Sequence, residues 1–419
     1  MPAKHRHRVF YGYYLVAVTF VFMTLFSGPG TFVFSLFVHP LESALGWARA
    51  EVMAGFTIFY ATMGVASPVV GRLVDRHGAR VVISAGALAM GLGFIIVSRM
   101  SHLYLFYLGY VIVGVGAAGL GPVPCSAIIT NWFNRRRGLA LGLMAAGVGA
   151  GGVVTAPFIG YMLSHYDWRE AYLSLAVMVT AVTIPLALGV VRTRPSDVGM
   201  SPHGDPTPDV QRASRTKADR DTASLTLKQS ARTRAFWFIA VAYAWYGFGS
   251  GGALQTAAPY LEDVGFATAT AAAILGVYGV GSTIGKLLSG PLCDRIPART
   301  VFAIGSALLA SGVLLLLTVE AGSPHIVLWS CGAVLGLGAG VWLPTLSMLA
   351  GTHFGLLHYA TILGMLNVCM SLGLSVGPLF SGFMHDVTGS YILAFSIFAA
   401  TLFLAVPAIL LVRRPPPQA

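Results

Sequence analysis

Twelve stretches of predominantly apolar residues, separated by short polar connections, run along this chain. A hydrocarbon core about 30 Å thick is crossed by roughly 20 helical residues, so each stretch predicts one membrane-spanning α-helix. The predicted spans are residues 11–37, 50–70, 81–97, 103–129, 139–163 and 171–191, then 236–260, 267–290, 301–319, 325–349, 361–384 and 391–412. Polar or helix-breaking residues interrupt two of them. Ser27, Gly28, Pro29 and Thr31 predict a break in span one, and Pro122 and Pro124 free backbone carbonyls in span four.

Between spans six and seven lies one long polar segment, residues 192–234, rich in Pro, Ser, Thr, Asp and Arg. Such a composition buries too little apolar surface to offset ordering entropy, so the segment is expected to be largely disordered. Its last part, 225–234, has the pattern of a short interfacial helix leading into Phe236 and Trp237. The resulting organisation is an all-α membrane protein with a six-helix half (1–191), a linker loop (192–234) and a second six-helix half (235–419).

Composition strengthens this picture. Hydrophobic residues make up 56% and charged residues 10% of the 419, with a mean hydropathy of +0.76, which excludes a soluble domain. Of the 26 lysines and arginines, 22 fall in alternate connections and the two termini, which assigns that face to the cytoplasm and predicts both termini there, in a multi-pass protein of the cell membrane. That bias also accounts for the net charge of +11, so no nucleic-acid partner is needed. The opening residues MPAKHRHRVFYGYYL lead into an apolar run too long for a cleavable signal. Cys125, Cys293, Cys331 and Cys369 are scattered singly and read as small buried hydrophobes, with no disulfide and no metal-ligand spacing. No nucleophile elbow, zinc-protease motif, phosphate loop or dinucleotide fingerprint is present, so neither an enzyme nor a cofactor is expected.

The two halves echo each other. GRLVDRHGAR (71–80) follows the second apolar window and GPLCDRIPAR (290–299) the eighth, sharing G-x-x-x-D-R. Gly71 and Gly290 let helices approach closely. Asp75 and Asp294, with Arg76 and Arg295, can form a cytoplasmic latch, each carboxylate accepting from a helix N-terminus or from an arginine of a neighbouring span. Phe133 with Pro157 and Phe354 with Pro378 repeat at one spacing in spans five and eleven. Repeats of this kind build midplane sites in alternating-access carriers.

Chemistry concentrates at one residue. Lys286 is the single Lys, Arg, Asp or Glu well inside an apolar window. A charge at membrane depth is unfavourable by at least roughly 2.5 kcal/mol, which makes Lys286 a candidate anion-binding group. The alternative is an ammonium that snorkels to the nearby cytoplasmic interface. Ser282 and Tyr278, at i−4 and i−8, share its helix face, and Tyr246, Tyr243, Gln255 and Asn367, with Ser371 and Ser375, are further polar candidates. Met144 and Phe34 are candidates for an apolar wall. His39, His385 and His358 lie near span ends and read as interfacial histidines.

Residues 71–80 resemble the best-known cytoplasmic signature of the major facilitator superfamily. NWFNRRRGLALGLMAAG (131–147), the Tyr11-Gly12-Tyr13-Tyr14 opening, Trp168-Arg169, Arg194-Pro195-Ser196-Asp197 and Gly389-Ser390-Tyr391 are similar to bacterial monocarboxylate and oxalate/formate-type carriers. That resemblance implies twelve helices in two pseudo-symmetric halves and a basic residue in span eight, four residues before a glycine and eight before an aspartate; Lys286, Gly290 and Asp294 have that spacing. Lysine stands where arginine is usual, and span eleven lacks the second cation of oxalate-type carriers, which favours a monoanion. The resulting expectation is a monomeric secondary transporter for a lactate- or pyruvate-like acid, using alternating access and coupled to protons. A carboxylate exchanger and an efflux pump for lipophilic compounds are the alternatives.

Overall fold

The computed structural model describes residues 10–202, 225–266 and 268–412. Lys4, Arg6, Arg8, Arg413, Arg414 and the part of the linker at 203–224, all used in the charge count, lie outside the described residues.

Among the described residues the chain forms twelve long helical spans. The first half contains span one (Tyr11–Ser27, a π-helical turn Gly28–Phe32, then Phe34–Leu45), two (Arg49–His77), three (Ala79–Ser98), four (Leu103–Leu120 and Pro122–Trp132), five (Arg137–His165) and six (Trp168–Gly189). The second half contains seven (Arg234–Asp263), eight (Thr268–Arg295), nine (Ala298–Leu316), ten (His325–Ala339 and Trp342–Phe354), eleven (Tyr359–Thr388) and twelve (Ile392–Leu410). Ten are both long and apolar enough to cross a membrane. Spans seven and eight are 30 and 28 residues long, ample to cross, and carry glycines, serines and tyrosines, several of which face the centre of the molecule.

Packing repeats between the halves. Span one lies on five as seven lies on eleven; three lies on four and six as nine lies on ten and twelve; two lies on four as eight lies on ten. The halves meet chiefly through two crossings, two with eleven and five with eight. The expected break in span one is the π-helical turn at Gly28-Pro29-Gly30, where Val33 N–H reaches back to Gly28 O at 3.1 Å. Span four breaks at Gly121, just before Pro122, and span ten breaks at the equivalent Gly340–Val341.

Two expectations need correction. The predicted spans two and eight stop at 70 and 290, but the helices continue: Gly71, Asp75 and Arg76, and likewise Asp294 and Arg295 beyond Gly290, occupy their last turns. A helix need not stop where lipid stops; span two ends at Gly78, whose φ of 83° is costly for any residue with a Cβ. The linker is also more ordered at its ends than its composition suggests. Trp132 Nε1 donates to Arg192 O at 2.8 Å and Ala79 N–H to Thr193 Oγ1 at 2.8 Å, so this stretch caps the ends of spans three and four. Near the other end the short helix expected within 225–234 is a single turn, Leu227–Ser230, capped by Thr226 and Gln229, while Leu225 N–H bonds Phe354 O at 2.9 Å.

Candidate functional site

Spans two and eleven approach within backbone distance at Gly71, where a Cβ would overlap Ala360 O and lie 2.8 Å from Thr361 Cα. Spans five and eight do the same at Gly290, where a Cβ would overlap Gly138 O and lie 2.9 Å from Gly142 Cα. These approaches deliver each aspartate to a helix start in the opposite half. Asp75 accepts from Ala360 N–H (3.2 Å), Thr361 N–H (2.9 Å) and Thr361 Oγ1 (2.6 Å). Asp294 accepts from Gly138 N–H (2.7 Å) and Leu139 N–H (2.9 Å). A carboxylate at a helix N-terminus meets unsatisfied N–H groups and the positive end of the dipole. Of the two partners considered for the aspartates, the structure therefore uses helix N-termini. Arg76 and Arg295 are exposed and, among the described residues, make no side-chain hydrogen bond or ion pair.

Away from this end the halves separate. A Cβ on Gly160, Gly276, Gly279 or Gly382 would meet nothing within 4 Å. Between the joined and parted ends lies a central cavity of about 140 Å³. Span eight contributes Tyr278, Ser282 and Lys286, span seven Tyr246 and Ser250, and span eleven Asn367 and Ser371; Phe26, Met63, Leu254 and Trp342 supply apolar wall.

Lys286 is 3% exposed. Its Nζ turns back along span eight, away from Gly290, and donates to Ser282 Oγ (2.5 Å) and Ser282 O (3.3 Å). Among the described residues it meets no carboxylate within salt-bridge distance. An ammonium held by one hydroxyl and one carbonyl beside a cavity has no counter-charge of its own and is chemically able to pair with an anion.

The other candidates divide. Tyr246 lines the cavity while its hydroxyl donates to Gly338 O at 2.8 Å, and Asn367 lines it while its amide donates to Ser67 Oγ at 3.1 Å. Tyr243 is wholly buried against Phe302, with ring centroids 4.4 Å apart, and bonded to Thr345 Oγ1 at 2.7 Å, so it serves packing. Met144 and Phe34 do not line the cavity either: Met144 is buried, and Phe34 packs on Phe56 and Tyr110. His385 lies 3.4 Å from Asp263 and stacks on Tyr391, at the parted end.

The profile of the Major Facilitator Superfamily matches residues 20–260 and 242–419. The chain belongs to that superfamily. It is accordingly a multi-pass membrane transporter and not an enzyme. Within the superfamily it is monocarboxylate transporter-like: it is 30% identical over 345 residues to monocarboxylate transporter 11 of Mus musculus, covering 80% of this chain and 73% of that protein. It is 27% identical to monocarboxylate transporter 13 of Bos taurus, covering 85% and 80%. Among solved structures, the human organic anion transporter MFSD10 superposes with a TM-score of 0.73 at 15% identity, covering 95% of this chain and 99% of that one. The E. coli fucose:proton symporter does so with 0.68 at 15%, covering 97% and 100%. At that identity the two structures establish the fold alone.

Sequence reasoning missed two polar contacts at the cavity of this superfamily member. Tyr60 OH and Thr31 Oγ1 lie 3.0 Å apart, tying span two to the π-helical turn of span one, and Ser67 accepts from Asn367. The signal was available: Tyr60, Gly64, Ser67 and Gly71 recur at three- and four-residue intervals, one stripe of small or polar residues on an otherwise apolar helix.

Proposed function

We propose that this transporter carries a small monocarboxylate of the lactate or pyruvate type across the cytoplasmic membrane by alternating access, in symport with protons, with both termini in the cytoplasm. Lys286 carries this reading: a buried ammonium whose hydrogen-bond partners are uncharged, on the wall of a small cavity. One cation matches one carboxylate, and the apolar wall suits a short hydrocarbon body. The cavity of about 140 Å³ falls below the roughly 300–1,000 Å³ of pockets for drug-sized ligands, which argues against lipophilic efflux. Relatives named monocarboxylate transporters are consistent with the same substrate class.

Alternating access is supported by the asymmetry of the two ends. The face bearing Asp75 and Asp294 is joined and the other parted; rocking the halves would break both carboxylate contacts and open the joined face. With the basic connections in the cytoplasm, the present state is open to the outside. Exchange is the second reading, favoured by the absence, among the described residues, of any Asp or Glu on the cavity wall to relay a proton.

The deciding experiment is uptake of labelled lactate and pyruvate into proteoliposomes. Wild-type protein is expected to accumulate substrate when protons are more concentrated outside, and Lys286→Gln to lose at least about 100-fold of that uptake. Unchanged uptake in Lys286→Gln overturns the role of the lysine. Uptake that responds to internal carboxylate but not to a pH gradient replaces symport by exchange.

A further inference from the structure

Each G-x-x-x-D-R block leads into a recess bounded by the start of the following span and by the chain as it leaves the last span of that half. In the first half the chain fills the recess with itself. After span six, Arg192 O accepts from Trp132 Nε1 at 2.8 Å, and Thr193 Oγ1 accepts from Ala79 N–H at 2.8 Å, at the start of span three. In the second half the recess is open. It is a cavity of about 560 Å³ at the joined end of the molecule, between the turn from span eight to nine, the end of span ten and Val412 after span twelve. Span nine starts there on Pro297 with no side-chain cap. By the interval that relates Phe133 to Phe354, the counterpart of Thr193 is Arg414, which lies outside the described residues and whose side chain cannot accept a hydrogen bond.

The walls of this open recess carry a surplus of positive charge. Arg295, Arg299 and His353 line it together with the apolar side chains of Ile296, Met348 and Leu349. Arg299 is half-buried, and among the described residues its side chain makes one bond, Nη1 to Val412 O at 2.7 Å, which holds the guanidinium at the wall on a neutral partner. Asp294 is the one acid on the wall among the described residues, and its two oxygens are already bonded across the halves to Gly138 and Leu139 N–H. Guanidinium groups in a concave site recognise a phosphate by paired, charge-assisted hydrogen bonds. Apolar surface lies close by. Leu288 and Leu292 on span eight and Leu410 and Leu411 at the end of span twelve are exposed, as acyl chains require. We infer that the cavity is a binding site for a phosphate anion, supplied by the headgroup of an anionic phospholipid, with Arg295 and Arg299 as its ligands. Basic pockets between helices on the cytoplasmic side hold lipid headgroups in this way. The leaflet follows from the orientation proposed above, whereas the site itself does not depend on it.

Full-length protein in a neutral detergent would be titrated with phosphatidylglycerol and with phosphatidylcholine, whose trimethylammonium group offsets the phosphate charge, and bound lipid read by native mass spectrometry. Wild-type protein is expected to prefer phosphatidylglycerol by roughly tenfold or more. Arg295→Gln combined with Arg299→Gln should bring that ratio close to one. Arg295→Lys with Arg299→Lys keeps the charge and is expected to retain most of the preference, which separates lost binding from a folding defect. The decisive control is Arg76→Gln with Arg80→Gln, which removes equal charge from the repeated positions of the first half, where the recess is filled, and should leave the preference intact. A wild-type ratio near one overturns the site. So does an equal loss in the two glutamine double variants, which would reduce the binding to a general attraction of the basic face. Inorganic phosphate distinguishes the source of the anion. Failure of millimolar phosphate to displace bound phosphatidylglycerol supports the lipid, whereas ready displacement keeps a phosphate site and overturns the lipid as its ligand.

Discussion

The crossing of spans five and eight and the crossing of spans two and eleven are built alike and equipped differently. In each, a glycine near the end of one span (Gly290, Gly71) presses on the start of the other, and an aspartate four residues later caps that start. Eight residues before each aspartate sit Lys286 and Ser67. Both carry a backbone carbonyl against which a glycine of the partner span is packed, Gly142 at Lys286 and Gly364 at Ser67. There the likeness ends. Lys286 is a cation held by its own helix, whereas Ser67 is a neutral acceptor bonded across the halves by Asn367. The repeat thus supplies a symmetric contact, and on the reading proposed above one side-chain difference equips one crossing for a single negative charge. Symmetric scaffolds are compatible with asymmetric chemistry because backbone packing depends on small residues, while charge depends on one long side chain.

Removing or moving that charge should have the largest effect. Lys286→Gln is expected to reduce carboxylate uptake at least about 100-fold, and adding Ser67→Lys to Lys286→Ser should fail to restore it. Restoration by the relocated lysine would show that the two crossings are interchangeable. Next come the glycines: Gly71→Val and Gly290→Val each force side-chain atoms into a backbone neighbour and should destabilise the joined state by about 2 kcal/mol. Hydrogen exchange at Ala360–Thr361 and at Gly138–Leu139 would report the opening, roughly 30-fold faster at the affected crossing. Undisturbed exchange would mean that the helices can yield locally without parting.

The two aspartates should differ in degree. Asp75 takes three hydrogen bonds in a half-buried setting, one from the Thr361 hydroxyl, while Asp294 is more exposed and takes two. Asp75→Asn is expected to weaken the joined state by about 1.5 kcal/mol and Asp294→Asn by about half that, since solvent screens the exposed pair. Equal effects would indicate that the hydroxyl contributes nothing. Smallest is Asn367→Ala, which deletes a neutral bond between the halves and should lower stability by about 0.5 kcal/mol, read as a fall in Tm of a degree or two.

How much of this was legible beforehand follows from the range of each interaction. Apolar runs, the break at Gly28-Pro29-Gly30 and the lone cation are local signals, and each sits in the structure on the element expected to carry it; the repeated G-x-x-x-D-R is equally local, but its residues fall on helix ends. Helix ends were read poorly at the two blocks, because polar residues there mark the edge of the lipid and not the end of the helix. Tyr243 and Tyr246, three residues apart in span seven, show the harder limit. Both were candidates; one lines the cavity, and the other is locked against Phe302 and Thr345 from spans nine and ten. No local pattern separates them, since both rings meet Phe302 and both hydroxyls bond span ten, and only the packing around them leaves Tyr246 on the cavity wall.

From the sequence alone come a twelve-span membrane protein, a repeat between its halves and one charge that lipid would not tolerate without a purpose. Only the tertiary structure decided that each aspartate caps a helix of the opposite half, that Ser67 and Asn367 meet across the centre, and that Lys286 turns back to Ser282 on the cavity wall. The physical reason is the same throughout. Hydropathy and helix period act over a few turns, whereas a hydrogen bond between residues 300 positions apart exists only once the helices have packed.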